Sequence, residues 1–270
     1  MKNYFKFWGT RGSCPVSGLE YSHFGGNTGC LEVRYDQQLI IIDAGTGIRP
    51  LSYTLQDEKT VHLILSHTHW DHILGFPFFR PLYDKNMHLH IWAPRGEGKP
   101  CRELFQTMMS HEFFPISFDQ IQAQLTFHTI QHMTPIELGP LQINFHRVHH
   151  PGETYSIQIQ TPHELIGYTT DDEIVPGKTA SFIEFHKDSD YFIHEAQYTE
   201  EEYARKARWG HSCLNHVIQI VEQIRPSRWL VTHHDPEHTD QTLRALEKTA
   251  RSQVKCPVEW VYDGQIFSLK

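Results

Sequence analysis

The feature that most constrains the fold is a run of metal-binding residue types that directly follows an apolar segment. Residues 61–65, Val-His-Leu-Ile-Leu, are mostly aliphatic, which predicts a buried strand. Residues 66–72 read Ser-His-Thr-His-Trp-Asp-His, so three histidines and one aspartate crowd the end of that strand. Imidazole and carboxylate groups are ligands for zinc and related ions. The run therefore predicts a metal centre at the edge of a sheet, where strand ends present their side chains.

The spacing within this run divides the candidate ligands into two sets. His67 and His69 are two residues apart, so their side chains point the same way if the segment is extended. Asp71 and His72 follow in a predicted turn and can point in another direction. This division favours two adjacent metal ions over a single ion.

Other polar residues recur at the same position, directly after predicted strands. Asp43 follows the isoleucine-rich residues 39–42, and it either caps a turn or hydrogen-bonds to a metal-ligating histidine. The remaining members of this set are His150, Asp171, Glu195 and His233. One such residue could arise by chance, but the recurrence predicts that several strands deliver polar side chains to a common edge.

The order of the predicted elements indicates the fold class. Strands and a few helices form two similar β-rich halves, with a loop over residues 93–98, a helix over 99–109 and a closing hairpin at Asp263-Gly264. This order predicts an α/β (α+β) protein built as a four-layer αββα sandwich, with helices outside and sheets inside. Because no linker interrupts the sequence, a single domain over residues 1–270 is expected.

Composition limits the classes of partner and compartment. The formal net charge is −8 and no basic run is present, which argues against an extended nucleic-acid surface. The five cysteines form no C-x-x-C pair, so we expect free thiols in the cytoplasm. No signal peptide or membrane-length apolar stretch is recognisable. With 21 histidines in the chain, stray pairs are expected, and His88 and His90 are predicted to lie at the surface.

Five of these motifs, in this order, resemble those of the metallo-β-lactamase fold superfamily over nearly the whole chain. They are Asp43, the H-x-H-x-D-H run, His150, Asp171 and His233. The resemblance implies that His67, His69 and His150 hold one divalent metal ion and that Asp71, His72 and His233 hold a second. It implies further that Asp171 bridges the two ions and that a bridging hydroxide is the nucleophile. Zinc is the expected metal, with manganese or iron as alternatives.

The neighbours of three of these ligands leave the register open by one residue. His149 precedes His150, Asp172 follows Asp171, and His234 follows His233. His150 is preferred over His149 because the family pattern places this ligand directly before Pro-Gly.

Two further motifs are similar to those of tRNase Z-like phosphodiesterases. Phe-Ile-His-Glu-Ala-Gln at 192–197 resembles their His-Glu-Ala-Thr motif, and Trp-Gly-His-Ser at 209–212 resembles their His-Ser-Thr motif. The resemblance implies that Glu195 and His211 together deliver a proton to the leaving group, with Asp71 as a further catalytic residue. The alternative is structural, with His211 merely preceding a helix and Glu195 capping a neighbour.

The sequence between the third and fourth motifs favours a small substrate. The tRNA-processing members carry a long substrate-binding arm there, whereas this chain has only two predicted strands between His150 and Asp171. The resemblance therefore implies hydrolysis of small phosphodiesters: cyclic nucleotides, cyclic phosphates or short oligonucleotides. A tRNase Z-like ribonuclease or a thioester or lactone hydrolase is the alternative, and no membrane partner is expected. A homodimer is possible, since the sequence does not determine the oligomeric state.

Two glycine-rich loops supply candidates for substrate contacts. Residues 9–13, Gly-Thr-Arg-Gly-Ser, either hold an anion through backbone N–H groups or form a plain turn. A second turn-rich loop covers residues 25–29. Arg11 from the first loop and Asn27 from the second are the candidates for contacts with the phosphate or the base.

Overall fold

Two seven-stranded sheets form the centre of the molecule in the computed structural model, which describes residues 3–95 and 100–270. The first sheet contains β1 (Tyr4–Gly9), β2 (Cys30–Tyr35), β3 (Gln38–Ile42), β4 (Thr60–Ile64), β5 (His88–Ala93), β6 (Gln124–Thr129) and the last strand, β14 (Ile266–Ser268). The second sheet contains β7 (Ile136–Leu138), β8 (Leu141–Arg147), β9 (Tyr155–Gln160), β10 (Leu165–Thr169), β11 (Tyr191–Glu195), β12 (Arg228–Thr232) and β13 (Val258–Trp260).

Short helices connect the strands. They are α1 (Ile48–Ser52), α2 (Trp70–Ile73), α3 (Cys101–Met108), α4 (Ala180–His186), α5 (Glu200–Lys206), α6 (Leu214–Ile224) and α7 (Asp240–Arg251). Single 3₁₀ turns cover Leu19–Tyr21, Phe76–Phe78, Arg80–Tyr83 and Phe118–Gln120. The helix predicted over 99–109 begins at Cys101, whereas residues 96–99 of this prediction and of the adjoining loop lie outside the described residues.

Three apolar clusters divide the molecule into four layers. The β3 residues Ile40 and Ile42 pack between the two sheets, and Ile41 packs on the other face against the first set of helices. This alternation follows from the strand geometry, which points successive side chains to opposite faces. In the second sheet, Trp229 packs outward against α6 and α7, whereas Leu230 packs inward. Both sheets are therefore covered on both faces, and the predicted αββα sandwich is confirmed.

Parallel pairing brings the predicted site residues to common sheet edges. β3 pairs with β4, and β11 pairs with both β10 and β12, in parallel register. The carboxyl ends of these strands meet at one edge of each sheet. Asp43, residues 66–72, Asp171, Glu195 and His233 lie at or directly after these ends.

The closing hairpin predicted at Asp263-Gly264 is wrong. β13 pairs with β12 in the second sheet, whereas β14 pairs with β1 in the first, so the turn crosses from one sheet to the other. The strands separate because Val258 and Trp260 pack with the outer cluster under α7, and Phe267 packs between the sheets. Among residues 3–95 and 100–270, no helix has both the length and the apolar character needed to cross a membrane.

Candidate metal centre and active site

Two groups of potential metal ligands lie side by side at the strand ends. The first group contains His67, His69 and His150, and the second contains Asp71, His72, Asp171 and His233. Within each group, one ligand atom per residue lies within 4.8 Å of all the others. His150 Nε2 is 3.0 Å from His69 Nδ1, and His233 Nε2 is 3.1 Å from Asp71 Oδ2. These separations are close to the roughly 3.3 Å expected between tetrahedral ligands about 2.0 Å from a zinc ion.

Asp171 lies between the two groups and faces both of them. Its Oδ1 atom is 3.8 Å from His67 Nε2 and 3.7 Å from His150 Nε2. Its Oδ2 atom is 3.0 Å from His72 Nε2 and 3.2 Å from His233 Nε2. A single carboxylate therefore directs one oxygen toward each group, which is the arrangement that a ligand shared by two ions requires.

Several of these atoms are buried without a hydrogen-bond partner. They include His67 Nε2, His72 Nε2 and Asp171 Oδ2. An orphaned buried polar atom costs about 1–3 kcal/mol, so such a concentration requires a compensating ligand. Divalent metal ions fit this need, because each lone pair would then donate to a cation.

The protonation states of His67 and Asp171 suit metal binding as well. Burial lowers the pKa of His67 well below its usual range, so the ring is neutral with a free lone pair. Burial alone raises the pKa of Asp171, but His233, His72 and His67 outweigh it and hold this pKa well below its usual range. Neutral imidazole and ionised carboxylate are the forms that coordinate metals.

Two of the histidines are oriented by hydrogen bonds at the nitrogen that faces away from the centre. His72 Nδ1 is 2.9 Å from Asp43 Oδ2, and His150 Nδ1 donates to the Gly210 carbonyl at 2.8 Å. Asp43 is fully buried, has a left-handed backbone with φ 64°, and also accepts the Ser66 N–H at 2.8 Å. Of the two roles left open for Asp43, these contacts favour the orientation of a ligand.

The neighbouring residues that left the register open lie outside both groups. His149 is exposed at the surface, and its N–H donates to Asp172. The Asp172 carboxylate approaches His194 at 3.8 Å instead of the two groups. His234 Nε2 donates to the Val261 carbonyl at 2.7 Å. The geometry therefore favours the preferred register, in which His150, Asp171 and His233 face the centre.

Glu195 and His211 form a buried pair beside both groups. Glu195 Oε1 lies 3.1 Å from His211 Nδ1, and Glu195 Oε2 accepts the Ser212 N–H at 3.1 Å. The His211 ring is 5.3 Å from the rings of His150 and His233. Burial raises the pKa of Glu195 well above its usual range and lowers the pKa of His211. A carboxylate partner alone predicts a raised pKa for His211, so desolvation reverses that expected direction.

Sequence reasoning missed the residue that fixes the loop carrying His211. Glu173 accepts the N–H groups of Arg208 at 3.0 Å and Gly210 at 3.2 Å, together with the Tyr203 hydroxyl at 2.8 Å. Glu173 follows Asp171 and Asp172 directly, and this run of three acidic residues was the available signal.

The predicted contact between Arg11 and substrate is wrong in this structure. The side chain is fully buried, and its guanidinium donates to the carbonyl groups of Gly25, Asp235 and His238 at 2.8–3.1 Å. Those donors are therefore committed to holding three loop segments together. The anion that the loop does bind is internal, since the Ser13 N–H donates to Asp71 Oδ2 at 2.8 Å.

Asn27, the second predicted substrate contact, is half-buried and makes hydrogen bonds to two other loops. Its side-chain N–H donates to Asp263 at 3.1 Å, and its amide oxygen accepts the Thr46 hydroxyl at 3.2 Å. Both polar ends of the amide are engaged in joining loops, so the residue supports the strand-end region structurally.

Comparison with known proteins identifies the family. A family model described as a beta-lactamase superfamily domain matches residues 38–234 of the chain. The chain belongs to this superfamily. A superfamily relative, the ribonuclease Z of Staphylococcus haemolyticus (strain JCSC1435), is 23% identical, and the alignment covers 86% of this chain and 90% of that protein. Superfamily membership and this relative's name confirm the prediction of a metallo-hydrolase.

Solved structures of the superfamily share the fold over nearly the full length. The metallo-beta-lactamase fold protein YhfI from Bacillus subtilis superposes with a TM-score of 0.77, 20% identity and coverage of 99% of this chain and 100% of that one. A diphosphatase from the PhnP family gives a TM-score of 0.72 and 20% identity, covering 100% of this chain and 98% of that one. At this identity the likeness establishes the fold.

Proposed function

We propose that this protein is a metal-dependent phosphodiesterase that hydrolyses small phosphodiesters at a dinuclear site. The position of Asp171 carries the proposal, because one of its oxygens faces each group of ligands. His67, His69 and His150 would hold one divalent ion, and Asp71, His72 and His233 would hold the other. Zinc is the expected ion, because five of these six ligands are imidazoles and the sixth is a carboxylate. When bound, the ions would neutralise phosphoryl oxygens and lower the pKa of a water molecule.

The protein's own contribution includes a positioned proton carrier. Glu195 engages His211 Nδ1, which leaves Nε2 as the nitrogen available for proton transfer. Since the pKa of His211 is lowered, the ring is neutral at rest and takes up a proton from solvent before the leaving oxygen departs. The resulting imidazolium, stabilised by Glu195, then gives that proton to the leaving oxygen.

The connection between His150 and Asp171 supports a small substrate. β9 and β10 are antiparallel neighbours, with Gln160 paired to Leu165, so only a four-residue turn joins them. No arm extends from this hairpin. The alignment with the Staphylococcus haemolyticus ribonuclease Z spans 287 positions, which is more than the 270 residues of this chain, although it includes only 86% of the chain. Many positions of the alignment are therefore gaps in this chain, and the segments of the relative at those positions have no counterpart here.

Maturation of tRNA 3′ ends is the second candidate, favoured by the name ribonuclease Z that the relatives carry. The short β9–β10 turn and the net charge of −8 weigh against it, since a structured RNA requires a broad phosphate-binding surface. A thioester or lactone hydrolase would use the same ligands but has no evident need for the Glu195–His211 pair.

A substrate panel combined with metal analysis tests the proposal. The zinc-loaded protein should hold about two metal equivalents per chain and hydrolyse bis-p-nitrophenyl phosphate and a cyclic nucleotide, but neither a thioester nor a lactone. Asp171→Asn should lose metal and activity together, whereas His163→Ala, in an exposed turn, should match the wild type. Full activity without metal would refute the dinuclear site. Efficient cleavage of a precursor tRNA would replace the small substrate with the second candidate.

A further inference from the structure

A cluster of four histidines lies on three neighbouring strands of the first sheet and shares no residue with the two groups of catalytic ligands. His62 comes from β4, His88 and His90 come from β5, and His128 comes from β6. Parallel register places His62 opposite His90, and Trp92 opposite His128, so these side chains share one face. All four histidines are half-buried, so His88 and His90, which were predicted to lie at the surface, keep part of their surface exposed.

His90 is at the centre of this four-histidine cluster. Its ring lies 4.0 Å from that of His88, 4.8 Å from that of His62 and 5.3 Å from that of His128. His90 Nδ1 and His128 Nε2 face each other at 3.1 Å. In the metal-free protein, one of these nitrogens donates its hydrogen to the other. A divalent ion can replace that hydrogen, because 3.1 Å is also close to the spacing of two imidazole ligands on one ion.

The surroundings hold the outer rings of the cluster without using all of their nitrogens. His88 Nε2 is 2.9 Å from the Thr126 hydroxyl, which leaves Nδ1 available. The Trp92 indole N–H donates to His62 Nδ1 at 3.4 Å, which orients the His62 ring and places its hydrogen on Nε2. Trp92 also stacks on His128 at 3.9 Å, which fixes that ring.

The rings of the cluster are in the protonation state that a metal requires. Burial, with a contribution from the neighbouring imidazoles, lowers the pKa of His62 to about 4. Burial and His88 lower the pKa of His90 and of His128 as well. At neutral pH the imidazoles of His62, His90 and His128 are therefore uncharged.

We propose that the four-histidine cluster is a second metal site, which binds one divalent ion with a strong preference for imidazole, such as Cu²⁺ or Ni²⁺. His90 and His128 supply the two nitrogens that already face each other, and His88, whose Nδ1 is available, completes the set by rotation of its half-buried side chain. An all-imidazole set excludes Mg²⁺ and Ca²⁺, which prefer oxygen ligands. His62 precedes His67 by five residues along a strand, so the two sites are separated by about 16 Å at roughly 3.3 Å per residue.

Copper binding to the zinc-loaded protein tests this site, because zinc fills the catalytic centre and is silent in electron paramagnetic resonance. The wild type should take up one additional Cu²⁺ whose spectrum shows coupling to at least two imidazole nitrogens. The double variant His90→Ala/His128→Ala should lose this equivalent and keep phosphodiesterase activity. The control variant His163→Ala should bind Cu²⁺ like the wild type.

A second measurement keeps the test decisive if the double variant does not fold. Cu²⁺ bound to the cluster should quench Trp92, which stacks on His128, so Trp92→Phe should remove the quenchable part of the fluorescence. Retention of the extra Cu²⁺ in a folded double variant, or an unaltered quenching amplitude in Trp92→Phe, would overturn the proposal. Failure of the phosphodiesterase panel would leave this site unaffected, since the two experiments depend on different residues.

Discussion

Replacement of His211 by alanine should separate proton delivery from every other function of the site. His211 is not one of the seven proposed ligands. Its Nδ1 atom lies 3.1 Å from Oε1 of Glu195, which is fully buried. The variant should therefore retain two metal equivalents and the thermal stability of the fold. It should lose only the proton that the leaving oxygen requires.

The size of the loss should depend on the leaving group. General acid catalysis contributes about 10²–10⁴-fold, so His211→Ala should reduce kcat on a cyclic nucleotide, whose alkoxide needs a proton, by that factor. On bis-p-nitrophenyl phosphate the phenolate departs unaided, and the loss should be less than about tenfold. Glu195→Gln should show the same pattern more weakly, because the amide oxygen can still accept the His211 Nδ1 hydrogen but cannot carry the negative charge that stabilises the imidazolium.

Steady-state rates on both substrates, measured beside metal content by mass spectrometry, check this prediction. His163→Ala is the matched control, since it removes an exposed imidazole from the β9–β10 turn. An equal loss on both substrates with both metals retained would refute proton delivery and assign His211 to substrate positioning. Loss of metal in His211→Ala would instead place this residue among the ligands.

Three further predictions concern the strand-end loops. Gly12→Ala should displace the His233 ring, because the new Cβ would lie 2.4 Å from His233 Nδ1. The variant should therefore lose about one of the two metal equivalents, measured by mass spectrometry, and retention of both would contradict this prediction. Arg11→Met should lower the free energy of unfolding by roughly 3 kcal/mol or more in urea titrations, since three buried carbonyl groups lose a charged donor; an unchanged midpoint would mean that water replaces the side chain. Burial raises the pKa of Asp263 to about 6, against the hydrogen bonds that lower it. Because the folded protein then holds this proton more tightly than the unfolded chain, the associated stability is complete below about pH 4 and is lost as the pH rises through 6. A carbon-13 titration of Asp263 checks this value, and Asp263→Asn should abolish the pH dependence.

Local sequence was sufficient for the elements that deliver the ligands. The aliphatic residues before His67 and before Asp43 favour buried strands wherever they occur, and the polar residues that follow must then lie at the sheet edge. The same reasoning predicted β12 before His233. The αββα layering also follows from the sequence, because strands that are apolar on both faces require cover on both faces.

Residue type alone could not decide which polar side chains face the centre. His149 and His150 are adjacent and chemically identical, and only the packing of the loop against Gly210 turns one toward the ligands and the other to solvent. Glycine neighbours made Arg11 resemble an anion-binding residue, but three carbonyl groups from distant segments converge on its guanidinium. Such roles depend on contacts between residues far apart in sequence.

The last turn and the four-histidine cluster show the same division. The sequence around Asp263-Gly264 encodes a turn, which is a local property, but the sheet that each flanking strand joins depends on where its apolar side chains find cover. His62, His88, His90 and His128 are ordinary strand residues when taken one at a time. Parallel pairing of β4, β5 and β6 brings their rings together across 66 residues of sequence. Periodicity along one strand therefore determines which face a side chain occupies, and only the tertiary structure determines which residues share that face.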